Sequence, residues 1–290
     1  MLLFKKVEQL QQHLNTVRND LRTIGFVPTM GALHQGHLSL IAEAAKQCDH
    51  VVCSIFVNPA QFNDNADLAS YPRIPEKDIE ALCNTSCGVL LYPEVDEVYP
   101  KGWTSDAPTD FGYLTKTMEA VHRPGHFEGV AKVVKRLLDI VQPDKLFMGQ
   151  KDFQQCAIVS EMVRMLELPV EVVCCPTIRE NDGLAMSSRN LLLSEEEREK
   201  APALFKSLLL ARDLMDRLPV PEIEQKAMEL QKIAGFQPEY FSIVDGHSLK
   251  SVSDPQQHDY IVACTAAKLG KVRLIDNLIL RREFGGIKDS

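Results

Sequence analysis

The 290-residue chain has no apolar run approaching the ~20 residues that a bilayer-spanning helix needs, which excludes an integral helical membrane protein. An excess of positive charge is also missing. Lys and Arg number 32 against 40 Asp and Glu, and the formal charge of −8 argues against the basic face of a nucleic-acid binder. Neither nucleic acid nor membrane is expected as a partner. Met1-Leu-Leu-Phe-Lys-Lys6 sets its apolar residues before its charges, with no long apolar core behind them, unlike a secretory signal. The expected location is the cytoplasm. CxxC spacing is absent: among eight cysteines, Cys83 and Cys87 are four apart and Cys174 and Cys175 are adjacent. No Cys/His group has the spacing of a four-ligand zinc site, so no protein-bound metal is expected, nor a disulfide framework. Cys53, Cys174, Cys175 and Cys264 lie in β-branched runs, where a thiol is expected to act as a small buried hydrophobe. Repeats and low-complexity tracts are missing too.

What remains is an ordinary globular composition, 45% hydrophobic and 25% charged, in a chain long enough for two domains at roughly 100–200 residues each. Apolar strand-like runs at 25–28, 51–57, 89–92, 145–148 and 170–175 alternate with helical patterns at 38–47, 77–83, 127–141 and 154–166. Uniformly hydrophobic strands, each followed by a helix, predict an α/β fold: a Rossmann-like, doubly wound parallel sheet. Its ligand crevice is expected beyond the carboxyl ends of the strands. After Pro176 the pattern changes. Ser194 followed by Glu197 predicts a capped helix running to about Arg217, and 221–234 predicts another. Strand-like runs at 240–244, 260–265 and 272–277 follow without intervening helices, which predicts a smaller α+β domain with antiparallel pairing. The boundary is expected between Cys175 and Ser194, dividing the chain into 1–180 and 181–290.

The segment from Phe26 to Ile41 is the most informative. A buried strand breaks at Pro28 and Gly31, and His34 and His37 flank a glycine just before an apolar helical run. Such a turn offers a helix N-terminus whose N–H groups can meet an anion, with two imidazoles added; a capping turn carrying two surface histidines is the plainer alternative. Gly149-Gln-Lys-Asp-Phe-Gln-Gln155 places a cation, a carboxylate and three amides where another strand gives way to a helix. Ser187, Ser188 and Arg189, in the polar loop after Ile178, supply two hydroxyls and a guanidinium suited to oxyanions, or simply a polar linker. Gln61, in Asn58-Pro-Ala-Gln-Phe62, reaches the same sheet edge with an amide that both donates and accepts. Arg123 and His126 could face a carboxylate or phosphate, or could equally order their loop.

Seven segments occur in the order in which the pantothenate synthetase family carries them. They are Pro28-Thr-Met-Gly31, His34-Gln-Gly-His37, Phe56-Val-Asn-Pro59, Tyr71-Pro-Arg73, Arg123-Pro-Gly-His-Phe127, Lys151-Asp-Phe-Gln-Gln155 and Met186-Ser-Ser-Arg-Asn190. Val272-Arg-Leu-Ile-Asp-Asn277 follows, so the resemblance runs from near residue 20 to about 280. The family comprises pantoate–β-alanine ligases of the nucleotidyltransferase superfamily. The resemblance implies an ATP-dependent condensation of pantoate with β-alanine to pantothenate, AMP and pyrophosphate through a pantoyl-adenylate, with ATP as substrate, Mg²⁺ and a homodimer. It implies a nucleotide- and pantoate-binding domain over 1–180 and a lid over 181–290.

Carried over residue by residue, it places ATP against Met30, Gly31, His34, His37, Gly149, Gln150, Lys151, Asp152, Ile178, Met186, Ser187, Ser188 and Arg189. His37 is the implied proton donor, with His34 and Lys151 beside the chemistry. Gln61 and Gln155 hold pantoate, and Gln61 also borders β-alanine. Gln150 stands where the family usually has Glu. The loop 183–190 is expected to be mobile without nucleotide, with Gly183 as its flexible start. A nucleotidylyltransferase that stops after moving AMP would share the histidine segment but not need the pantoate elements at 58–62 and 151–155, while the acidic balance and the full set of phosphate ligands argue against a non-catalytic nucleotide- or RNA-binding module.

Overall fold

The apolar runs of the first half form a six-stranded sheet whose inner strands are buried on both faces. β2 (Ile24–Thr29), for instance, buries Ile24, Phe26 and Val27 completely. The computed structural model describes residues 1–62, 68–69 and 71–282. In chain order the other strands of this sheet are β1 (Leu2–Phe4), β3 (His50–Ile55), β4 (Val89–Leu91), β5 (Lys145–Gly149) and β6 (Glu171–Cys175). They pair in the order β1-β4-β3-β2-β5-β6, and every pairing is parallel. β2, β3 and β4 step one way across the sheet while β5 and β6 step the other, so the order reverses between β2 and β5. Those two strands pair only through Gly25 and Phe26. The sheet parts on that side before Pro28 is reached, and a proline is tolerated where one flank carries no ladder. A crevice at the carboxyl end of such a switch point is where open α/β sheets bind ligands.

The chain divides into two compact units. The first comprises Met1–Phe111, Arg123–Gln150 and Gln155–Ile178; the second comprises Gly112–His122, Lys151–Gln154 and Arg179–Ser290. The second unit is built on a three-stranded antiparallel sheet, β7 (Gln237–Asp245), β8 (Tyr260–Leu269) and β9 (Val272–Arg282), in that order. The helices Ala203–Leu214 and Val220–Ile233 cover one face through Leu208, Ala211, Ile223 and Ala227, packed on Phe241, Ile243, Ile261 and Ala263. Lys151 and its neighbours belong to this unit rather than to the sheet domain that a cut near residue 180 assigns them. The reason is hydrogen bonding: Gln154 Nε2 donates to Leu114 O (2.7 Å) and Thr117 O (2.9 Å), and Glu119 N donates back to Gln154 Oε1 (3.0 Å). Arg273 of β9 then grips the buried Glu119 carboxylate with two 2.7 Å bonds.

Three expectations need correction. β1 and the helix Val7–Asn19, which buries Leu10, Leu14 and Val17, lie outside the expected elements. The helix expected from Ser194 to Arg217 is two, Glu195–Lys200 and Ala203–Leu214, because Pro202 lacks the N–H that would continue the first. Its start is as expected: Ser194 Oγ accepts from Glu197 N at 3.2 Å, and Glu197 Oε2 accepts from Ser194 N at 2.8 Å. Cys174 is exposed rather than buried, because β6 is the edge strand.

His13 and His50 face each other in the first unit, with ring centroids 5.6 Å apart, and the Nε2 of each is buried without a partner. Burial lowers the His50 pKa from its ordinary 6.5, and His13 and Arg22 push the same way. The unfolded chain therefore takes up the proton first as pH falls. The stability contributed by neutral His50 is present above about pH 6.5 and is lost as pH drops through the lower folded value. Urea midpoints at pH 7.5 and 5.5 should differ less for His50→Phe than for the unaltered protein. An equal loss in both would remove His50 as the cause.

Candidate active site

β2 ends in a turn whose backbone only a particular set of partners permits. Thr29 Oγ1 donates to Ser54 O (2.8 Å) and accepts from Gly31 N (3.2 Å). Gly31 (φ 83°) and Ala32 (φ 48°) are consecutive left-handed residues, and the turn they make aims the N–H groups of Ala32 and Leu33 at one point. The Asp78 carboxylate, 2% exposed on the helix Pro75–Cys83, occupies that point. Its Oδ2 accepts from Ala32 N at 2.9 Å and its Oδ1 from Leu33 N at 2.7 Å. A Cβ at position 31 would stand 3.0 Å from Asp78 Oδ2 in a strained φ, so glycine is required on both counts.

The helix Gln35–Gln47 then starts with its two histidines as caps. Gly36 N donates to His34 Nδ1 (3.2 Å) and His34 N donates to His37 Nδ1 (3.3 Å). A backbone N–H can only donate, so each Nδ1 is an acceptor and each neutral ring carries its proton on Nε2. The rings lie 4.0 Å apart at 36°. This corrects the expectation of an anion site made from backbone N–H groups. The amides of Gly31, Ala32, Leu33, His34 and Gly36 are engaged within the turn, and each ring carries its N–H on Nε2.

After β3, Asn58 is fully buried and sets the next side chain. Its Oδ1 accepts from Ala60 N (3.2 Å) and Tyr99 OH (3.0 Å), while its Nδ2 donates to Gln61 Oε1 (3.3 Å) and Gly129 O (3.2 Å). Gln61 Nε2 lies 2.7 Å from Met30 Sδ, which joins the β3 turn to the β2 turn. His126, buried at the start of the helix His126–Val141, has Nδ1 at 2.8 Å from Gln61 O and Nε2 at 3.0 Å from Arg123 Nη1. The carbonyl only accepts and the guanidinium only donates, so His126 is neutral with its proton on Nδ1. These two contacts order the loop that carries His126. Gly149 ends β5, with its carbonyl accepting from Cys156 Sγ at 3.4 Å; Gln150 follows it, Ile178 follows β6, and Gln155 is half-buried on the helix Phe153–Met165. Met30, Gly31, His34, His37, Gln61 and Gly149 thus share the carboxyl edge of one sheet.

Lys151, Asp152, Met186, Ser187, Ser188 and Arg189 belong to the second unit. Lys151 Nζ lies 3.5 Å from Asp152 Oδ1, and Lys151 O accepts from Asn277 Nδ2 at 2.8 Å. Arg179 forms a fork on the buried Asp276 (2.7 and 3.0 Å) and donates also to Gly183 O and Asn277 O. Burial pushes the Asp276 carboxyl up, and the hydrogen bonds and charge of Arg179 pull against it. Gly183 (φ 93°) is no loose hinge. A Cβ there would lie 2.4 Å from Phe205 Cδ1, and Arg179 and Ala185 form an antiparallel bridge across the turn. Leu184 and Ala185 are buried, so the flexible start expected at Gly183 is a packed one. Ser187 caps the short helix Ser188–Leu192 by accepting from Arg189 N at 3.3 Å, and its O–H can still donate. Ser188 is buried.

Sequence reasoning missed Asn58, Asp78, Arg179, Asp276 and Asn277. Asp78 did leave a signal: it stands four residues before Leu82, on the buried face of an expected helix, where an acid must be paired. Asp78→Ala should leave two buried N–H groups unsatisfied, at about 1–3 kcal/mol each. Urea unfolding should register a loss of that order; an unchanged midpoint would mean that the turn is held by something else.

A sequence model of the family described as Pantoate-beta-alanine ligase matches residues 2–279. The chain is 47% identical over 279 residues to the pantothenate synthetase of Porphyromonas gingivalis, covering 96% of this chain and 99% of that one. It is 42% identical to the enzyme of Bacteroides thetaiotaomicron, covering 96% and 98%. Among solved structures, pantothenate synthetase from Thermus thermophilus superposes with a TM-score of 0.91 at 41% identity, over 97% of this chain and all of that one. The ligase from Francisella tularensis, complexed with beta-gamma ATP and beta-alanine, superposes with a TM-score of 0.79 at 32% identity, over 97% and 98%. The chain belongs to the pantoate–β-alanine ligase family.

Proposed function

We propose that the chain condenses pantoate with β-alanine at the expense of ATP, giving pantothenate, AMP and pyrophosphate through a pantoyl-adenylate. The observation that carries this reading is the pair of capping imidazoles, whose Nδ1 atoms accept from the backbone so that each ring holds its N–H on Nε2 at the mouth of β2. A carboxylate attacks the α-phosphorus poorly, because two anions approach each other and pyrophosphate departs with more charge. Donors fixed in advance where that charge develops lower the barrier without reorganising.

His37 is the proposed proton donor to the reacting phosphate, with His34 beside it. Met30, Gly31, Gly149, Gln150, Asp152, Ile178 and Met186 are assigned to ATP. Lys151 and Arg189 offset the phosphate charge, and Ser187 and Ser188 add hydroxyls. Gln61, oriented by Asn58, and Gln155 are assigned to pantoate, with Gln61 bordering β-alanine as well. No enzyme nucleophile is needed: the pantoate carboxylate displaces pyrophosphate, and the neutral amine of β-alanine then displaces AMP from the acyl carbon.

Among the described residues no group of three or more His, Cys, Asp or Glu side chains could hold a metal. Mg²⁺ is assigned to the triphosphate oxygens of its substrate, as Mg²⁺ is commonly held by substrate phosphates, and no step is routed through it. The Francisella ligase, crystallised with beta-gamma ATP and beta-alanine, supports both compounds as substrates here. A cytoplasmic homodimer is part of the same reading, resting on the family resemblance.

Incubation with ATP, Mg²⁺, pantoate and β-alanine should yield pantothenate, AMP and pyrophosphate in equal amounts. His37→Ala should slow that yield by about 10²–10³, the typical effect of removing one such donor. Release of ADP and phosphate, or adenylate transfer with no pantothenate, would overturn the assignment.

A further inference from the structure

The segment Val272-Arg-Leu-Ile-Asp-Asn277 has no role in the reading above, yet it carries the most heavily bonded polar cluster near Lys151. Asp276 is 3% exposed on β9 and receives both guanidinium arms of Arg179. It also accepts from Asn277 N at 2.8 Å. Arg179 closes the circuit by donating to Asn277 O (3.0 Å) and, on its other side, to Gly183 O (3.1 Å). Asn277 then spends its side-chain N–H on Lys151 O at 2.8 Å. A single buried unit therefore ends at two places. One is the backbone of the Gln150–Asp152 turn, and the other is the Arg179–Ala185 bridge, from which Met186, Ser187, Ser188 and Arg189 continue.

We infer that Asn277 is a positioning residue for Lys151, and that the Arg179–Asp276 pair sets the Lys151 turn and the 183–189 loop as one piece. The inference deepens the ligase reading, since both ends lead to groups assigned to the triphosphate. Its physical basis is that neither segment belongs to a regular sheet or long helix. Each therefore takes its place from side chains, and here the same side chains serve both. Arg is needed at 179 because only its planar fork can reach two carboxylate oxygens and two carbonyls together; an ammonium is a point donor. Amide chemistry is needed at 277 because a carboxylate would meet the Lys151 carbonyl with no proton to offer.

Two variants test this, each read in two ways. Asn277→Ala removes the bond to Lys151 O. It should raise the KM for ATP about five- to tenfold, the order expected for one lost hydrogen bond, while the KM for pantoate stays within about twofold. Asn277→Asp, of nearly equal size, should do at least as much harm. Arg179→Lys keeps the charge beside Asp276 but not the fork. It should speed amide hydrogen exchange in residues 151–154 and 183–187 together, in the absence of any substrate. Exchange that accelerates in only one of the two segments would overturn the coupling, whatever reaction the enzyme proves to catalyse. Equal rises in both KM values for Asn277→Ala, with exchange unchanged at 151–154, would reduce Asn277 to general packing. A wild-type protein that makes no pantothenate, yet shows the paired acceleration in Arg179→Lys, would refute the ligase reading and leave the coupling standing.

Discussion

One buried carboxylate against two backbone N–H groups underlies the first half of this site. Asp78 holds the turn made by the left-handed pair Gly31–Ala32 by accepting from the N–H groups of Ala32 and Leu33. Without that turn, β2 would not hand over to a helix within a few residues, and His34 could not fall at the N-cap with His37 one turn above it. The cap geometry then decides the chemistry of the rings. Two backbone donors claim both Nδ1 atoms and leave both protons on Nε2, so the same bonds that start the helix also set the tautomer of both rings. Within the turn itself Asp78 takes the amides of Ala32 and Leu33, and His34 Nδ1 takes that of Gly36.

The second unit uses buried ion pairs in a comparable way. Glu119 receives two bonds from Arg273 and one from Tyr240 OH at 2.9 Å, and Asp276 receives its fork from Arg179. Burial opposes the charge on Arg273, but hydrogen bonds and charge from Glu119, and then Glu239, raise its pKa; burial and Glu119 raise that of Tyr240. Such pairs contribute little net stability relative to well-packed apolar groups, yet breaking one partner costs about 3–5 kcal/mol. What they supply is definition: one fixes the 112–122 segment on the antiparallel sheet, the other fixes the turn at Lys151 and the bridge at Ala185.

Much of this was legible in the residues. Parallel strands announce themselves as unbroken apolar runs, and β2, β3, β4, β5 and β6 fall where such runs occur. The histidine turn was legible because Pro28, Gly31 and Gly36 punctuate it. Less visible was anything held by distant side chains. Leu2–Phe4 is too short and too exposed to carry a pattern, whereas Leu10, Leu14 and Val17 do carry the helical spacing of Val7–Asn19. Asp78 is 46 residues from the amide it holds, Asn277 is 126 from Lys151, and Arg179 is 97 from Asp276. No local spacing encodes those meetings. The same limit explains Gly183: as a letter it suggests looseness, and only the Phe205 ring behind it makes it a packing requirement.

In the proposed reaction the histidine turn serves activation of a carboxylate before any amine is involved. Exchange of labelled pyrophosphate into ATP measures that step directly. With pantoate present and β-alanine absent, the acyl-adenylate should form and reverse, returning label to ATP, and leaving out pantoate should abolish the exchange. Exchange that appears only when β-alanine is added would contradict the account, because attack by the amine would then have to accompany, rather than follow, the loss of pyrophosphate.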